Sequence, residues 1–233
     1  MKVAVITGAS KGIGEAMARA LAKEGYGLAL GARSVDLLER LAGELKEKHG
    51  VDVLHAFLDV TKPESVEEFA KEVLEHFGGV DVLVANAGIG MGGRLDELTE
   101  EEMERVFQVN TLGVWRTVKA FLPSIRERKG TVAVVTSDVS ARLIPGAGAY
   151  VATKWAARAL VRTFQMENPE VRFMELRPGA VDTYFYGKPG RRIEEGFMKP
   201  EDVAQLFVYL LKLPPHVRVE EVMFRSVYQK PEY

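Results

Sequence analysis

The amino-terminal part of the chain reads Val3-Ala4-Val5-Ile6-Thr7-Gly8-Ala9-Ser10-Lys11-Gly12-Ile13-Gly14. The mostly apolar first five residues predict a β-strand, and the amphipathic stretch after the glycines predicts a helix. Glycines let the backbone turn tightly and approach a pyrophosphate closely, and the free N–H groups at the start of the helix face the same anion. The spacing G-x-x-x-G-x-G directly after a strand therefore predicts a dinucleotide-binding turn, the alternative being a plain strand-to-helix turn.

Short apolar runs and long amphipathic stretches alternate along the rest of the chain. The apolar runs are rich in Val, Leu and Ala with little alternation, as in parallel strands that are covered on both faces. They lie at residues 3–7, 27–32, 51–58, 80–85, 131–137, 171–177 and 221–225. Helices are predicted at residues 12–24, 35–49, 64–77, 100–128, 149–165 and 200–211. We therefore predict an α/β fold: a single doubly wound (Rossmann) domain over residues 1–233, with a seven-stranded parallel sheet and helices on both faces.

Composition narrows the possible partners. The 233 residues carry a net charge of −2, which gives no reason to expect a nucleic acid or an anionic membrane as partner. The chain has no cysteine, which excludes disulfides and thiolate chemistry, and its four histidines lack metal-ligand spacing, so no metal site is predicted. No stretch approaches the about 18 apolar residues of a membrane span, and the amino-terminal apolar run is short for a signal peptide. A cytoplasmic location is therefore expected.

The end of the second predicted strand indicates which dinucleotide would bind. An NAD site usually places a carboxylate there for the ribose 2′-hydroxyl, but this strand ends in Ala32-Arg33-Ser34. A guanidinium suits a 2′-phosphate, Ser34 can donate a hydrogen bond to it, and Lys11 can add a second cation. The sequence therefore favours NADP(H) over NAD(H), the alternative being that Arg33 is a solvated surface cation.

Three polar side chains later in the chain suggest proton chemistry. Tyr150 and Lys154 are four residues apart on a predicted helix and so share one face. A phenol with a reference pKa of about 10 is a poor base at neutral pH, but an adjacent ammonium favours the phenolate. Ser137 ends a predicted strand, and its hydroxyl can polarise a substrate carbonyl. By itself the pair is equally compatible with an exposed helical contact.

The joint occurrence of these features resembles the short-chain dehydrogenase/reductase family over essentially the whole chain. Residues 7–14 resemble its cofactor turn, and Asp59-Val60 its adenine-contacting acid after the third strand. Asn86-Ala87-Gly88 resemble the family's structural N-A-G motif, which follows the fourth strand. Residues 178–183 resemble the segment that contacts the nicotinamide amide. Four further residues resemble the family's catalytic tetrad: Asn110, Ser137, Tyr150 and Lys154.

The resemblance implies a role for each residue of the tetrad. Tyr150 would be the general acid in reduction and the general base in oxidation. Lys154 would lower the pKa of Tyr150 and hold the nicotinamide ribose, Ser137 would orient the carbonyl, and Asn110 would hold a water that links Lys154 to solvent. The cofactor contacts implied are Gly8, Ser10, Lys11, Gly12, Ile13, Gly14, Arg33, Ser34, Asp59, Val60, Asn86, Ala87, Gly88, Asn110, Tyr150, Lys154, Pro178, Gly179, Val181 and Thr183.

Two positions depart from the family pattern. Ala85 stands where an asparagine is often found, and Asp138 follows Ser137 where a second serine is frequent. Asp138 either raises the pKa of Tyr150 slightly or faces solvent, and we expect the latter.

Residues 184–199 correspond to the family's mobile lid over the substrate. An apolar inner surface is expected from Tyr184, Phe185, Tyr186, Phe197 and Met198. Its basic residues, Lys188, Arg191 and Arg192, either bind an acidic substrate or face solvent.

The substrate class stays open between two alternatives. Residues 214–226 resemble the tail of the family's NADP-dependent 3-hydroxy-acid (serine-type) branch, although the last strand runs into Arg225-Ser226 instead of an Arg-Pro pair. That branch implies small 3-hydroxy acids, and general 3-oxoacyl or ketone reduction is equally open.

The resemblance thus implies an NADP-dependent oxidoreductase acting on a small-molecule carbonyl or alcohol, assembled as a homodimer or homotetramer. Candidate residues for a subunit interface are Leu112, Val114, Trp115, Val118, Phe121 and Leu122, unless they pack only on the sheet. The alternative function is an NADP(H)-binding redox sensor or scaffold without turnover. An epimerase or dehydratase would usually need a larger substrate domain.

Overall fold

The computed structural model describes residues 1–230, apart from the side chain of Tyr186. It contains one parallel sheet of seven strands in the order β3-β2-β1-β4-β5-β6-β7. The strands are β1 Val3–Thr7, β2 Gly27–Ala32, β3 Val53–Phe57, β4 Val82–Ala85, β5 Thr131–Val135, β6 Arg172–Pro178 and β7 Glu221–Phe224. The predicted seven-stranded parallel sheet is confirmed.

Seven α-helices connect or flank these strands in the described part of the chain. They are α1 Gly12–Lys23, α2 Val35–His49, α3 Pro63–Phe77, α4 Glu100–Phe107, α5 Gly113–Glu127, α6 Gly148–Glu167 and α7 Pro200–Leu211. Short 3-10 turns lie at Asp138–Ala141, Tyr184–Tyr186 and Ile193–Glu195. Among the residues described, no helix combines the length and apolar character needed to cross a membrane.

The sheet separates two apolar cores. On one side α1, α2 and α7 contribute fully buried side chains such as Met17, Leu38 and Phe207. On the other side α3 and α5 contribute Phe69 and Phe121, whose rings meet edge to face at 6.1 Å. Every residue of β1 and β5 is buried, which explains why these strands read as continuous apolar runs.

The stretch predicted as one helix over residues 100–128 is divided in the structure. A π-helical turn, Gln108–Leu112, separates α4 from α5. The wider turn carries Asn110, which is fully buried and bonded to two other segments. Periodicity over residues 100–128 predicted one continuous helix, because the π turn depends on contacts with segments that are distant in the sequence. Such turns are frequent at functional sites.

The interface candidates on α5 fall into two groups. Val114, Val118, Phe121 and Leu122 are buried against the sheet and cannot contact a second subunit. Leu112 and Trp115 remain 37% and 38% exposed. Of the six candidates, only Leu112 and Trp115 have enough exposed surface for the subunit contact that the sequence suggested.

The strand order determines where a ligand can enter. Successive strands run outward from β1 toward β3, and the chain then returns to place β4 on the other side of β1. The connections that leave β1 and β4 therefore diverge over opposite faces and open a crevice at their carboxyl ends. The glycine turn follows β1, and Asn86 follows β4, so both lie at this crevice.

Candidate active site

A cavity of about 400 Å³ lies along the carboxyl edge of the sheet. Segments that follow six of the strands, β1 to β6, line it. Its lining residues are Gly8, Ser10, Lys11, Gly12, Ile13, Ala32, Arg33, Ser34, Leu58, Asp59, Val60, Asn86, Ala87, Gly88, Ile89, Gly90, Val109, Val135, Thr136, Ser137, Tyr150, Lys154, Pro178, Gly179, Val181, Thr183, Tyr184 and Phe185. The structure thus brings all the predicted site residues to this cavity except Gly14 and Asn110.

The glycine turn owes its shape to close backbone approaches. Gly8 and Gly12 have φ values of +65° and +63°, which residues other than glycine rarely adopt. A Cβ on Gly14 would come within 2.4 Å of the Gly8 carbonyl oxygen. Gly14 therefore does not face the cavity but lets the start of α1 pack against the turn.

The turn is held in place by Asn86 and Thr7. Asn86 Nδ2 donates to the carbonyl oxygens of Thr7 and Gly8 at 3.0 and 3.2 Å. Thr7 Oγ1 accepts from the backbone N–H groups of Asn86 and Ala87 at 3.1 and 3.0 Å. These four hydrogen bonds join the ends of β1 and β4 and hold the glycine turn in position.

Arg33 lies at one end of the cavity. It is exposed and makes no hydrogen bond or ion pair with any described residue. Burial alone would raise the pKa of nearby Asp59, but hydrogen bonds from the Thr61 N–H and hydroxyl at 2.9 and 2.8 Å, together with the charge of Arg33, hold that pKa below its ordinary value. The cavity end thus presents one uncommitted cation beside an ionised carboxylate.

Lys11 also borders the cavity but has a different neighbour. Its ammonium lies over the ring of Tyr184, 4.9 Å from the centroid. This cation–π contact joins the glycine turn to the loop that follows β6. The phosphate contact from Lys11 that the sequence suggested stays a prediction.

Tyr150, Lys154 and Ser137 line the same cavity. Lys154 is only 5% exposed; its Nζ donates to the Val135 carbonyl at 3.1 Å and lies 5.6 Å from the centroid of the Tyr150 ring. Burial lowers the pKa of Lys154 to about 8, and the negative charge of Glu175 opposes this effect. A lysine in this environment changes its charge within the working pH range of most proteins.

Ser137 begins the turn after β5. Its Oγ accepts from the Val139 N–H at 3.3 Å and donates to Asp138 Oδ1 at 3.2 Å. The Ser137 hydroxyl therefore makes two hydrogen bonds within its own turn, and the residue also lines the cavity.

Asn110 lies behind the cavity wall and not on it. Its Oδ1 accepts from the Ile89 N–H at 2.9 Å, and its Nδ2 donates to the Ile89 carbonyl at 2.9 Å and to Thr153 Oγ1 at 3.1 Å. The side chain thereby ties the segment after β4 to α6. The water-holding role implied for Asn110 stays a prediction.

The expectation that Asp138 faces solvent is wrong. The side chain is 4% exposed and its carboxylate lies 2.9 Å from Arg142 Nη2 and 3.0 Å from Arg225 Nε. Gln229 Nε2 donates to the same carboxylate at 3.3 Å. Two arginines neutralise the buried charge, and one of them is distant in sequence, so the burial could not be anticipated from the chain around Asp138.

The loop after β6 closes over the cavity. Its two ends are joined by hydrogen bonds from the Asp182 N–H to the Met198 carbonyl at 2.8 Å and from the Met198 N–H to the Ala180 carbonyl at 2.9 Å. Tyr184 and Phe185 line the cavity, as expected for an inner surface, and the Phe185 ring lies 5.4 Å from that of Tyr150. Met198 instead is buried in the core below the loop.

The basic residues of this loop do not line the cavity. Arg192 pairs with Glu195 at 3.1 Å, and Arg191 lies over the Phe197 ring at 5.0 Å. Lys188 is exposed.

Several cavity residues were missed by sequence reasoning. Most directly adjoin predicted ones and follow the same strand ends: Ala32, Leu58, Ile89, Gly90, Val109, Val135 and Thr136. Position relative to the strand ends was a usable signal for these. Gly90 has a further constraint, because a Cβ there would lie 3.0 Å from the Phe185 ring. That contact joins segments far apart in sequence and left no local signal.

The chain is similar to several known proteins. The family model described as short chain dehydrogenase matches residues 2–191. An alcohol dehydrogenase from the archaeon Thermococcus sibiricus, solved in complex with 5-hydroxy-NADP, is 67% identical with full coverage of both chains and a TM-score of 0.98. An uncharacterized oxidoreductase of Listeria monocytogenes is 33% identical over 94% of each chain. The glycine betaine reductase ATRR of Emericella nidulans is 36% identical over 95% of this chain, which spans only 18% of that protein's length.

These matches confirm the family resemblance that the motifs carried. The chain belongs to the short-chain dehydrogenase/reductase family, a family of oxidoreductases.

Proposed function

We propose that this protein transfers a hydride between NADP(H) and a carbonyl or alcohol substrate, with Tyr150 as proton donor and acceptor. The observation that carries the proposal is a single cavity with an uncommitted guanidinium, Arg33, at one end and the Tyr150–Lys154–Ser137 cluster in the same lining. A dinucleotide needs this combination of a backbone cradle for the pyrophosphate and polar groups near the reacting carbon.

The residues fit the cofactor in two respects. The glycine turn leaves a cradle that side chains at Gly8 or Gly12 would obstruct or strain. Arg33 has no internal partner and replaces the carboxylate that would bind a ribose 2′-hydroxyl, so it favours a 2′-phosphate. The complex of the Thermococcus sibiricus relative with 5-hydroxy-NADP supports the same choice.

The reaction would divide between cofactor and protein. When bound, the nicotinamide supplies or accepts the hydride at the substrate carbon. In reduction the Tyr150 hydroxyl gives its proton to the carbonyl oxygen, while the Ser137 hydroxyl turns its one proton from Asp138 Oδ1 and donates it in a hydrogen bond to that oxygen. In oxidation the Tyr150 phenolate takes the proton back from the alcohol. The ammonium of Lys154 stabilises the phenolate in both directions.

For the substrate we propose an uncharged ketone or secondary alcohol. Phe185, Tyr184 and Ile89 give the cavity an apolar wall, whereas the basic residues of the loop lie outside it. This arrangement argues against a carboxylate substrate of the 3-hydroxy-acid type.

The proposal is tested by following NADPH oxidation with a panel of ketones, aldehydes and 3-oxo acids, each repeated with NADH. We expect turnover of uncharged ketones and a preference for NADPH. Tight NADPH binding without turnover of any substrate, or of the matching alcohols with NADP, would instead indicate a redox sensor.

The assembly is a separate proposal. Leu112 and Trp115 remain exposed at the start of α5, and we propose that they contribute to a homodimer or homotetramer. Light scattering on the wild type and on Trp115→Glu tests this, and a monomeric wild type would contradict it.

A further inference from the structure

Glu175 is a carboxylate in the middle of the parallel sheet. It lies on β6 with no exposed surface, between Val134 of β5 and Glu221 of β7 in the strand register. A charge is expensive in such a place unless it is paired and hydrogen-bonded. Neither the glycine turn nor the Tyr150–Lys154 pair requires it, so its presence calls for an explanation.

The carboxylate bonds to the two hydroxyls that flank Ser137. Glu175 Oε1 lies 2.7 Å from Thr136 Oγ1 and 2.9 Å from Ser140 Oγ. Ser140 donates its N–H to the Ser137 carbonyl at 3.0 Å, and its one hydroxyl proton is shared between that carbonyl, at 2.8 Å, and the Glu175 carboxylate. One carboxylate oxygen therefore anchors the turn that presents Ser137 to the cavity.

The charge of Glu175 is only partly compensated. Its Oε2 has no hydrogen bond to a described residue, and the nearest cation, Arg158 Nε on α6, is 3.6 Å away. Arg158 is shared, because its Nη2 also pairs with Glu221 at 3.0 Å. Arg177, on the same face of β6, pairs with Glu221 as well, at 3.4 Å.

Lys154 contacts the start of the same turn from the cavity side. Its Nζ donates to the carbonyl of Val135, the residue before Thr136. The two charged groups thus hold adjacent residues at the end of β5. Burial lowers the pKa of Lys154, and the field of Glu175 works in the opposite direction.

We propose that Glu175 is a positioning residue of this site: it anchors the Ser137 turn through Thr136 and Ser140, next to the Val135 carbonyl that Lys154 holds. The inference rests on the proposed function, since it assigns Glu175 to the support of the same proton transfer.

The test compares Glu175→Gln with Glu221→Gln. Glutamine keeps the shape and one acceptor oxygen but removes the charge. Glu221 is its cross-strand neighbour and contacts the same Arg158, yet it bonds to neither Thr136 nor Ser140. The titration of Lys154 is followed by NMR in protein labelled with ¹³C at lysine Cε, with Lys154→Arg for assignment, alongside the pH profile of kcat/KM for NADPH-dependent reduction.

We expect Glu175→Gln to move both the Lys154 titration and the alkaline limb of the profile to lower pH by about one unit or more. Glu221→Gln should leave both in place. Ser140→Ala, which keeps the charge but removes one link to Ser137, should lower kcat without moving the limb. Equal Lys154 titrations in Glu175→Gln and wild type, together with wild-type kcat in Ser140→Ala, would overturn the proposal.

The NMR measurement separates this inference from the proposed function, because it needs no turnover. A shifted Lys154 titration in a protein without activity would support the charge effect of Glu175 and contradict only the proposed reaction. If Glu175→Gln does not fold, Ser140→Ala decides: wild-type kcat in that variant would overturn the anchoring role.

Discussion

At the scale of single residues, Tyr150 is the most specific claim. Replacing it with Phe removes the proton donor but keeps the ring that contacts Phe185. We expect kcat to fall by about 10² to 10⁴-fold, the usual contribution of a general acid or base, with NADPH affinity nearly unchanged. The matched control is Tyr184→Phe, a second cavity tyrosine whose hydroxyl has no assigned role. Similar losses in both variants would contradict the assignment.

The charge of Lys154 gives a pH dependence with a definite sign. Because burial lowers its pKa to about 8, the ammonium is present below that pH and lost above it. The kcat/KM for NADPH-dependent reduction should therefore decline as pH rises through about 8. Arginine keeps its charge at all accessible pH values, so any decline that remains in Lys154→Arg should come from ionisation of the Tyr150 hydroxyl alone. A wild-type kcat/KM that stays constant up to about pH 10 would contradict this interpretation.

Arg33 should determine which coenzyme is used. Arg33→Ala removes one charge-assisted contact to a 2′-phosphate, worth about 1.5 to 3 kcal/mol, or roughly 10- to 150-fold in NADPH affinity. The affinity for NADH should hardly change. Arg40→Ala, at an exposed position of α2 outside the cavity, controls for the general loss of positive charge. Fluorescence titration with both coenzymes measures the effect, and an equal loss for both excludes the 2′-phosphate role.

At the scale of elements, the junction of β1 and α1 depends on close packing. In Gly14→Ala the new Cβ would clash with the Gly8 carbonyl, and such overpacking costs about 1 to 3 kcal/mol of unfolding free energy. NADPH binding should weaken as well, since the turn must move. Gly43→Ala on α2 meets nothing within 4 Å and should be neutral or stabilising by up to about 1 kcal/mol. Urea unfolding measures the difference in unfolding free energy between the two variants. Equal unfolding free energies would show that the turn is not closely packed.

Features encoded locally could be predicted from the sequence. The strands and the glycine turn follow from short apolar runs and glycine spacing, and the predicted boundaries lie within about two residues of the observed ones. Features that depend on distant contacts could not. The π turn at Gln108–Leu112 is stabilised by Asn110 contacts to Ile89 and Thr153, and Asp138 is buried because Arg225 reaches it.

At the scale of the whole molecule, coenzyme binding should stabilise the fold. A ligand at about 100 times its dissociation constant adds about 2.7 kcal/mol to the unfolding free energy. For a chain of this size that corresponds to a rise in Tm of roughly 5 to 10 °C. Differential scanning fluorimetry should show this rise with NADPH, a smaller one with NADH at the same concentration, and a reduced NADPH effect in Arg33→Ala. The same rise with both coenzymes would contradict the NADP(H) assignment.

The contact between Lys11 and Tyr184 has a consequence for the sequence of events in turnover. Because it joins the glycine turn to the loop over the cavity, we expect a dinucleotide that settles into the turn to displace the Tyr184 ring, which borders the same cavity. We therefore expect an ordered kinetic mechanism, in which the coenzyme binds first and dissociates last. Product inhibition would then be competitive only between the oxidised and reduced forms of that ligand.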